Sequence, residues 1–172
     1  AAHLTRAHLE LGGKAPVVVF EDADLGKAVP HIAMTGYFNA GQDCTAATRV
    51  LVARSVHDEF VRRLVEAARQ TRFGSPDDAD ALYGALNNAN QLARVKGFME
   101  NLPAHACIET GGRQADRPGF YFEPTVLSGL RQDDEAIQQE IFGPVITVQA
   151  FDDDDDAIAK ANGVQYGLAS SV

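Results

Sequence analysis

Short apolar, β-branched segments alternate along this chain with longer segments of helical spacing, and this alternation limits the possible folds more than any other property. Residues 17–20, Arg49–Ala53 and Val145–Phe151 contain the apolar segments, which are typical of buried strands. Strands that alternate with helices pair mainly in parallel, with helices packed on both faces of the sheet. The sequence therefore predicts an α/β fold, a three-layer αβα sandwich with a mainly parallel sheet.

Polar residues of the types that cap helices mark where the predicted helices begin. Asp22 or Asp24 is expected to cap a first helix that extends to about Asn39, and Ser55 is expected to cap a second helix. The remaining predictions are a helix over residues 88–102, a strand over 105–109, an edge or bulged strand over 120–127 because of Pro124, short helices over 133–139 and after the acidic residues 152–156, and a strand-like segment over 168–172. Together these elements suit one domain of 172 residues.

Charge and hydropathy argue against two classes of partner. The chain has 15 Lys and Arg residues against 24 Asp and Glu residues, a formal net charge of −9, which repels a phosphate backbone or an anionic membrane surface. No apolar stretch approaches the roughly 18 residues that a membrane-spanning helix needs. We therefore expect neither a nucleic-acid partner nor a membrane partner.

The spacing of cysteine, histidine and glycine gives no sign of a metal site or of a phosphate-binding loop. Cys44 and Cys107 form no C-x-x-C pair, and no H-E-x-x-H spacing occurs, so no metal is expected. Two cysteines do not make a disulfide scaffold, which favours a reducing, cytoplasmic setting. Because neither G-x-G-x-x-G nor a P-loop sequence occurs, a nucleotide would need its main binding surface elsewhere.

Three short segments combine glycine with residues that can do chemistry. Residues 10–14 read E-L-G-G-K, residues 41–44 read G-Q-D-C, and residues 140–145 read E-I-F-G-P-V. Taken singly, they could be a tight turn, a buried cysteine and the end of a helix. Their order and spacing, with Cys44 34 positions after Glu10, make the combination far more informative than any one of them.

In these motifs, and along the whole chain, the sequence resembles the aldehyde dehydrogenase family, whose E-L-G-G-K, G-Q-x-C and E-I-F-G-P-V blocks occur here in the same order. The resemblance implies that Cys44 is the nucleophile, which forms a thiohemiacetal with an aldehyde and, after hydride transfer to NAD or NADP, a thioester. It also implies that Glu10 is the general base, which activates the water that hydrolyses the thioester to a carboxylic acid.

The resemblance places the nicotinamide end of the cofactor against four further residues. Glu140 would hold the ribose hydroxyls and Phe142 would lie near the ring, with Leu11 and Gly12 beside them, where glycine permits a close approach. The family's cofactor-binding segment and the asparagine of its oxyanion hole would precede residue 1, and its terminal oligomerisation segments would follow residue 172. Residues 1–172 are therefore expected to be a single catalytic domain of a dimeric or tetrameric enzyme, with little activity in isolation.

Asp43 offers a hint about the aldehyde. A carboxylate beside the nucleophile disfavours a thiolate, and it makes more sense if the substrate carries a cation. Residues 39–46 are similar to those of bacterial aminobutyraldehyde dehydrogenases, which implies an aminoaldehyde or betaine aldehyde as the small-molecule substrate. The alternative is that Asp43 points to solvent or makes only a local backbone contact.

Three other functions remain open at this point. A CoA-acylating semialdehyde dehydrogenase would pass the acyl group to CoA, although Glu10 argues against it because acylating members tend to lack that base. A cysteine hydrolase would pair Cys44 with a histidine, and no spacing favours any of His3, His8, His31, His57 or His105. A non-catalytic interaction domain would use Cys44 only for packing.

Overall fold

The computed structural model describes residues 4–172, and within that range five strands form one sheet in the order β1-β2-β5-β4-β3. The strands are β1 (Pro16–Val19), β2 (Arg49–Ala53), β3 (Cys107–Thr110), β4 (Thr125–Ser128) and β5 (Val145–Phe151). The helices are α1 (Leu25–Tyr37), α2 (Arg54–Gln70), α3 (Ala89–Glu100), α4 (Glu135–Gln138) and α5 (Asp154–Asn162), and a 3-10 helix, Phe38–Gly41, follows α1.

The sheet is parallel except at one edge. β1 pairs with β2, β2 with β5, and β5 with β4, all in parallel, whereas β3 pairs with β4 in the antiparallel direction. The last strand in the sequence, β5, therefore lies between β2 and β4 in the middle of the sheet. The prediction of a mainly parallel sheet is confirmed.

Helices cover both faces of the sheet, as the predicted three-layer sandwich requires. Val50 and Val52 of β2 point into the larger core cluster, to which α1, α2 and α3 contribute. Leu51 points to the opposite face and packs with Phe151 and Ala157, the buried residue of α5. This alternation follows from the pleat of a strand, in which successive side chains lie on opposite faces.

Two predicted helix starts have different outcomes. Asp24 does cap α1, since its Oδ1 accepts a hydrogen bond from the backbone nitrogen of Gly26 at 3.0 Å. The prediction that Ser55 caps α2 is wrong, because the helix begins at Arg54 without a side-chain cap and the Ser55 hydroxyl bonds to Glu21 instead, at 3.2 Å. Local sequence rules predict that the Ser55 hydroxyl oxygen caps the helix, but the hydroxyl instead donates to Glu21, 34 positions earlier.

The strand predicted over residues 120–127 is shorter and lies inside the sheet. β4 begins at Thr125, directly after Pro124, so the missing N–H of the proline costs no ladder hydrogen bond. The edge position belongs to β3, and the register shift lies in the β3–β4 pairing. In the segment 168–172 only Ser171 joins the sheet, by a parallel bridge to Val17.

The acidic segment before α5 stabilises the start of that helix. Asp153 caps α5 by accepting a hydrogen bond from the backbone nitrogen of Asp156 at 2.9 Å, and three further aspartates occupy the first turn. Carboxylates at this end complement the helix dipole. Among residues 4–172, no helix combines the length and apolar character that are needed to cross a membrane.

Candidate active site

Cys44 follows a tight turn in which three successive residues have left-handed backbone conformations. Asn39, Ala40 and Gly41 have φ angles of 51°, 58° and 67°, a region that residues with a Cβ adopt only at an energetic cost. Two reciprocal hydrogen bonds hold the turn: the Asn39 side-chain amide donates to the Gln42 carbonyl at 2.9 Å, and the Gln42 amide donates to the Asn39 carbonyl at 3.1 Å. The strained turn delivers Cys44 in a half-buried position.

The glycines of the motifs are the places where the three motifs touch. A Cβ on Gly12 would overlap the carboxylate of Glu140, and a Cβ on Gly13 would overlap the carbonyl oxygen of Cys44. A Cβ on Gly41 would overlap the carbonyl of Gly143. The first and second motifs thus each contain a glycine that another motif approaches more closely than an alanine would allow.

A cavity of about 500 Å³ opens where the motifs meet. It is lined by residues from all three: Glu10, Leu11, Gly12, Gln42, Asp43, Cys44, Glu140 and Phe142. Every site residue that the sequence predicts is therefore at this one cavity. The arrangement surrounds a thiol with two carboxylates from distant parts of the chain and with the aromatic side chain of Phe142.

Glu140 is held at both its side chain and its main chain. Its Oε1 accepts a hydrogen bond from the backbone nitrogen of Gly13 at 2.9 Å, and its carbonyl oxygen accepts one from the Arg94 guanidinium at 2.6 Å. Its backbone nitrogen donates to the Tyr166 hydroxyl at 3.4 Å. Because Gly13 engages only Oε1, this contact leaves Oε2 beside Gly12 to accept a hydrogen bond from a ligand hydroxyl.

Glu10 is far more exposed than Glu140. It lies in the segment before β1 that has no regular secondary structure, its side chain is 80% exposed, and Oε1 contacts Nε2 of His8. The exposure gives the carboxylate access to water, which a base for hydrolysis needs. No pattern in the sequence predicts the contact between His8 and this glutamate.

The Asp43 carboxylate makes a local contact. Its Oδ1 accepts hydrogen bonds from the backbone nitrogen of Thr45 at 2.7 Å and from the Thr45 hydroxyl at 2.8 Å. This is the backbone contact that the sequence left open as the alternative to a substrate contact. Asp43 nevertheless lines the cavity beside Cys44.

Among the residues that the structure describes, two basic side chains are buried: Lys14, the last residue of the first motif, and Arg49 of β2. Neither is among the site residues that the sequence predicts. Burial, together with the nearby charge of Arg49, lowers the pKa of Lys14 from 10.5 to about 7, and the Glu140 carboxylate opposes this shift. The Lys14 ammonium has no hydrogen-bond partner within residues 4–172. Burial also lowers the pKa of Arg49 to about 10, although this guanidinium donates to three carbonyls: those of Lys14, Lys160 and Ala161.

Cys107 differs from Cys44 in position and surroundings. It is exposed on the edge strand β3 and does not line the cavity. Across residues 4–172, no group of three or more His, Cys, Asp or Glu side chains is arranged to hold a metal ion.

Known proteins resemble this chain in both sequence and fold. The model of the aldehyde dehydrogenase family matches residues 1–172. The cytosolic 10-formyltetrahydrofolate dehydrogenase of Homo sapiens is 40% identical over 174 residues, which cover 99% of this chain and 19% of the human protein.

Two solved structures show the likeness in three dimensions. Betaine aldehyde dehydrogenase from Staphylococcus aureus, solved in complex with NAD+, matches with a TM-score of 0.94 and 38% identity over 99% of this chain and 35% of its own. Lactaldehyde dehydrogenase from Escherichia coli matches with a TM-score of 0.90 and 41% identity over 94% of this chain and 34% of its own. This chain thus spans about a third of the length of these solved relatives. Since the family model covers all of its residues, the chain belongs to the aldehyde dehydrogenase family.

Proposed function

We propose that this chain carries the nucleophile and the nicotinamide-facing residues of an enzyme that oxidises an aldehyde to a carboxylic acid with NAD+. The observation that supports this most is the single cavity at which Glu10, Cys44, Glu140 and Phe142 meet. Family membership supports the reaction type, and the S. aureus relative, solved with NAD+, supports NAD+ as the cofactor.

The residues present fit the nicotinamide riboside end of NAD+. Gly13 fixes one oxygen of Glu140, and the other lies beside Gly12, where only a glycine leaves room. A fixed carboxylate with a free oxygen is suited to accept hydrogen bonds from ribose hydroxyls. Phe142, an aromatic residue, lines the same cavity. Bound NAD+ supplies the acceptor for the hydride that leaves the former aldehyde carbon.

Cys44 and Glu10 divide the covalent chemistry between them. The Cys44 thiolate forms a C–S bond to the carbonyl carbon, and the oxygen takes up the charge as a thiohemiacetal. The backbone nitrogen of Cys44 is the donor that this chain can offer to that oxygen. When the hydride has left, Cys44 holds the acyl group as a thioester. Glu10 then takes a proton from water, the resulting hydroxide adds to the thioester, and the Cys44 thiolate leaves with release of the acid.

We propose an aldehyde that carries a cationic amine, such as an aminoaldehyde or betaine aldehyde, as the substrate. The support is Asp43 at the cavity, the similarity of residues 39–46 to aminoaldehyde enzymes, and the S. aureus relative. The E. coli relative acts on lactaldehyde by its name, so these two aldehydes form a direct test. Asp43→Asn should lower kcat/KM for betaine aldehyde by about tenfold, as expected for one lost charge contact, and leave lactaldehyde unaffected. Equal losses for both aldehydes would refute the cationic substrate.

A cytoplasmic setting and a homo-oligomer, dimeric or tetrameric, belong to the same proposal. Both cysteines are free thiols, which suits a reducing compartment. The oligomeric state is measured by light scattering on the complete gene product, and a monomer at micromolar concentration would refute that part.

The central experiment follows the acyl group in the complete gene product that contains this chain. Glu10→Gln keeps the shape but cannot take a proton, so it should give one rapid equivalent of NADH followed by turnover slowed by about 10²–10⁴-fold. Rapid-quench mass spectrometry should find the acyl adduct on Cys44. Cys44→Ala should abolish both the burst and the adduct, whereas Cys107→Ala is the matched control that retains them.

Other outcomes distinguish the remaining functions. Formation of acyl-CoA in preference to the acid when CoA is added would indicate a CoA-acylating enzyme. No aldehyde-dependent adduct on Cys44 would indicate a non-catalytic domain. Loss of the burst in Glu10→Gln would show that Glu10 acts before hydride transfer.

A further inference from the structure

Residues at the start of α3 form hydrogen bonds with two segments that line the cavity, the one that contains Gln42 and the one that contains Phe142. Asn88 caps the helix by accepting a hydrogen bond from the backbone nitrogen of Gln91 at 3.0 Å, so the first turn is fixed. None of the α3 residues lines the cavity around Cys44. Any effect of α3 on that cavity must therefore pass through the segments that it contacts.

Gln91 bonds to the backbone of the third motif at its most strained residue. Its Nε2 donates to the carbonyl of Phe142 at 2.6 Å and to the carbonyl of Ile141 at 3.1 Å. Phe142 has a φ of 57°, which a residue with a Cβ rarely adopts and which persists only where its surroundings impose it. The two hydrogen bonds from Gln91 are such an imposed restraint.

The same helix end also restrains the nucleophile turn. The backbone nitrogen of Asn87, next to the cap residue Asn88, donates to Oε1 of Gln42 at 2.8 Å. Gln42 in turn bonds to Asn39 at the strained turn before Cys44. The turn before Cys44 and the segment Glu140–Phe142 thus both form hydrogen bonds with residues 87–91.

We propose that Gln91 is a positioning residue, which holds the Phe142 ring and the Glu140 carboxylate toward Cys44 through the backbone of residues 141 and 142. Its relevance to catalysis rests on the proposed function, whereas the hydrogen-bond coupling itself does not. Loss of the two donated bonds frees Phe142 to leave its left-handed conformation, and Glu140, two residues earlier, then loses its alignment with Gly13.

Gln91→Glu tests the coupling with a side chain of the same shape. A carboxylate cannot donate to the two carbonyls and repels them, so the bond from Gly13 to Glu140 should weaken. Amide hydrogen exchange of the 172-residue chain, followed by NMR, should show Gly13 exchanging at least about tenfold faster, the equivalent of one hydrogen bond, with Val50 in β2 unchanged. A protonated carboxyl donates again, so the effect should be smaller at about pH 5 than at about pH 8. Gln70→Glu, an exposed glutamine on α2, is the matched control.

Activity gives an independent second measurement. In the complete gene product, Gln91→Glu should raise KM for NAD+ by about tenfold and leave KM for the aldehyde unchanged. Unchanged exchange at Gly13 would overturn the proposal. If Gln91→Glu fails to fold, Gln91→Met, which lacks both the donor and the repulsion, decides by the same exchange measurement. Faster exchange at Gly13 in a protein that oxidises no aldehyde would refute the proposed function and leave the coupling intact.

Discussion

Gly12 and Gly13 stand side by side in the chain but meet different kinds of obstacle. An added Cβ at Gly12 would meet the end of the Glu140 side chain, which can rotate away, whereas one at Gly13 would meet the backbone of Cys44, which cannot. The same change of one methyl group should therefore affect Glu140 at the first position and the whole nucleophile turn at the second.

We expect Gly13→Ala to destabilise the chain by about 1–3 kcal/mol, the range found for overpacking, and Gly12→Ala to cost clearly less. Gly97 in α3 has no atom within 4 Å of an added Cβ, so Gly97→Ala is the control and should stabilise by about 0.5–1 kcal/mol. Urea denaturation measures the three free energies of unfolding. If Gly12→Ala proved as costly as Gly13→Ala, the Glu140 side chain would have to be as rigid as the backbone.

The lowered pKa of Lys14 predicts how the free energy of unfolding changes with pH. Its pKa is about 7 in the folded chain and about 10.5 in the unfolded chain, so between these values the unfolded chain binds a proton that the folded chain does not. The free energy of unfolding should therefore rise with pH in that window, by up to about 3 kcal/mol from about pH 7 to about pH 9. Burial also raises the pKa of Tyr37 and Tyr83, and their ionisation in the unfolded chain opposes folding only at higher pH.

Chemical denaturation at several pH values compares Lys14→Met with Lys27→Met, whose lysine is exposed in the folded chain. The rise should vanish in Lys14→Met and persist in Lys27→Met. A rise of the same size in both variants would assign the pH dependence to another group.

At the scale of helices and strands, Arg49 joins three segments. Its guanidinium donates to the carbonyls of Lys160 and Ala161, near the end of α5, and to that of Lys14 in the first motif. A cation that bonds carbonyls at the C-terminal end of a helix supplies both hydrogen bonds and a favourable interaction with the helix dipole. Strand β2, helix α5 and the first motif are therefore fixed to one another by a single side chain.

We expect Arg49→Met to lower the free energy of unfolding by at least about 2 kcal/mol, because the carbonyls of Lys14 and Ala161 lose their donor, whereas that of Lys160 still accepts from the backbone nitrogen of Gly163. Arg49→Lys should lower it less, since an ammonium keeps the charge but not the fork of donors. Arg63→Met removes an exposed ion pair with Glu59 on α2 and should change stability by no more than about 0.5 kcal/mol. Equal effects of Arg49→Met and Arg63→Met in urea denaturation would contradict this role.

The elements also show what the sequence could predict. The strands β2 and β5 were predictable because they are buried on both faces and so appear as continuous apolar segments, and β1 was predictable from its three successive valines, although one of its faces is only partly buried. The cap predicted at Ser55 is wrong because its hydroxyl bonds to Glu21, which is distant in sequence. The edge strand predicted from Pro124 is wrong because β4 begins only after the proline, at Thr125. Family motifs identified the residues that line the cavity. The hydrogen bonds from Gln91 to the carbonyls of Ile141 and Phe142, 50 and 51 positions away, follow from the packing of α3, and no local sequence pattern predicts them.

At the scale of the whole molecule, the central strand of the sheet is β5, the last of the five strands in the sequence. β5 separates β2 from β4, and each of these strands depends on it for one set of ladder hydrogen bonds. A chain that lacks β5 would have to pair β2 and β4 directly or expose two unpaired edges.

We therefore expect residues 1–144 to show no cooperative unfolding transition, whereas residues 1–162 retain β5 and α5 and should unfold cooperatively. Circular dichroism during urea titration measures both. A sigmoidal transition for residues 1–144 would show that the remaining strands suffice to build a core.

The hydrogen bond from Gly13 to Glu140 joins residues 127 positions apart, and this separation has a consequence for the newborn protein. During synthesis Cys44 is incorporated and emerges from the ribosome well before Glu140 is added. In that interval the thiol is present without the wall of the cavity that faces it. The cavity around Cys44 can therefore form only after the segment Glu140–Phe142 has been synthesised, and a shorter nascent chain carries Cys44 without it.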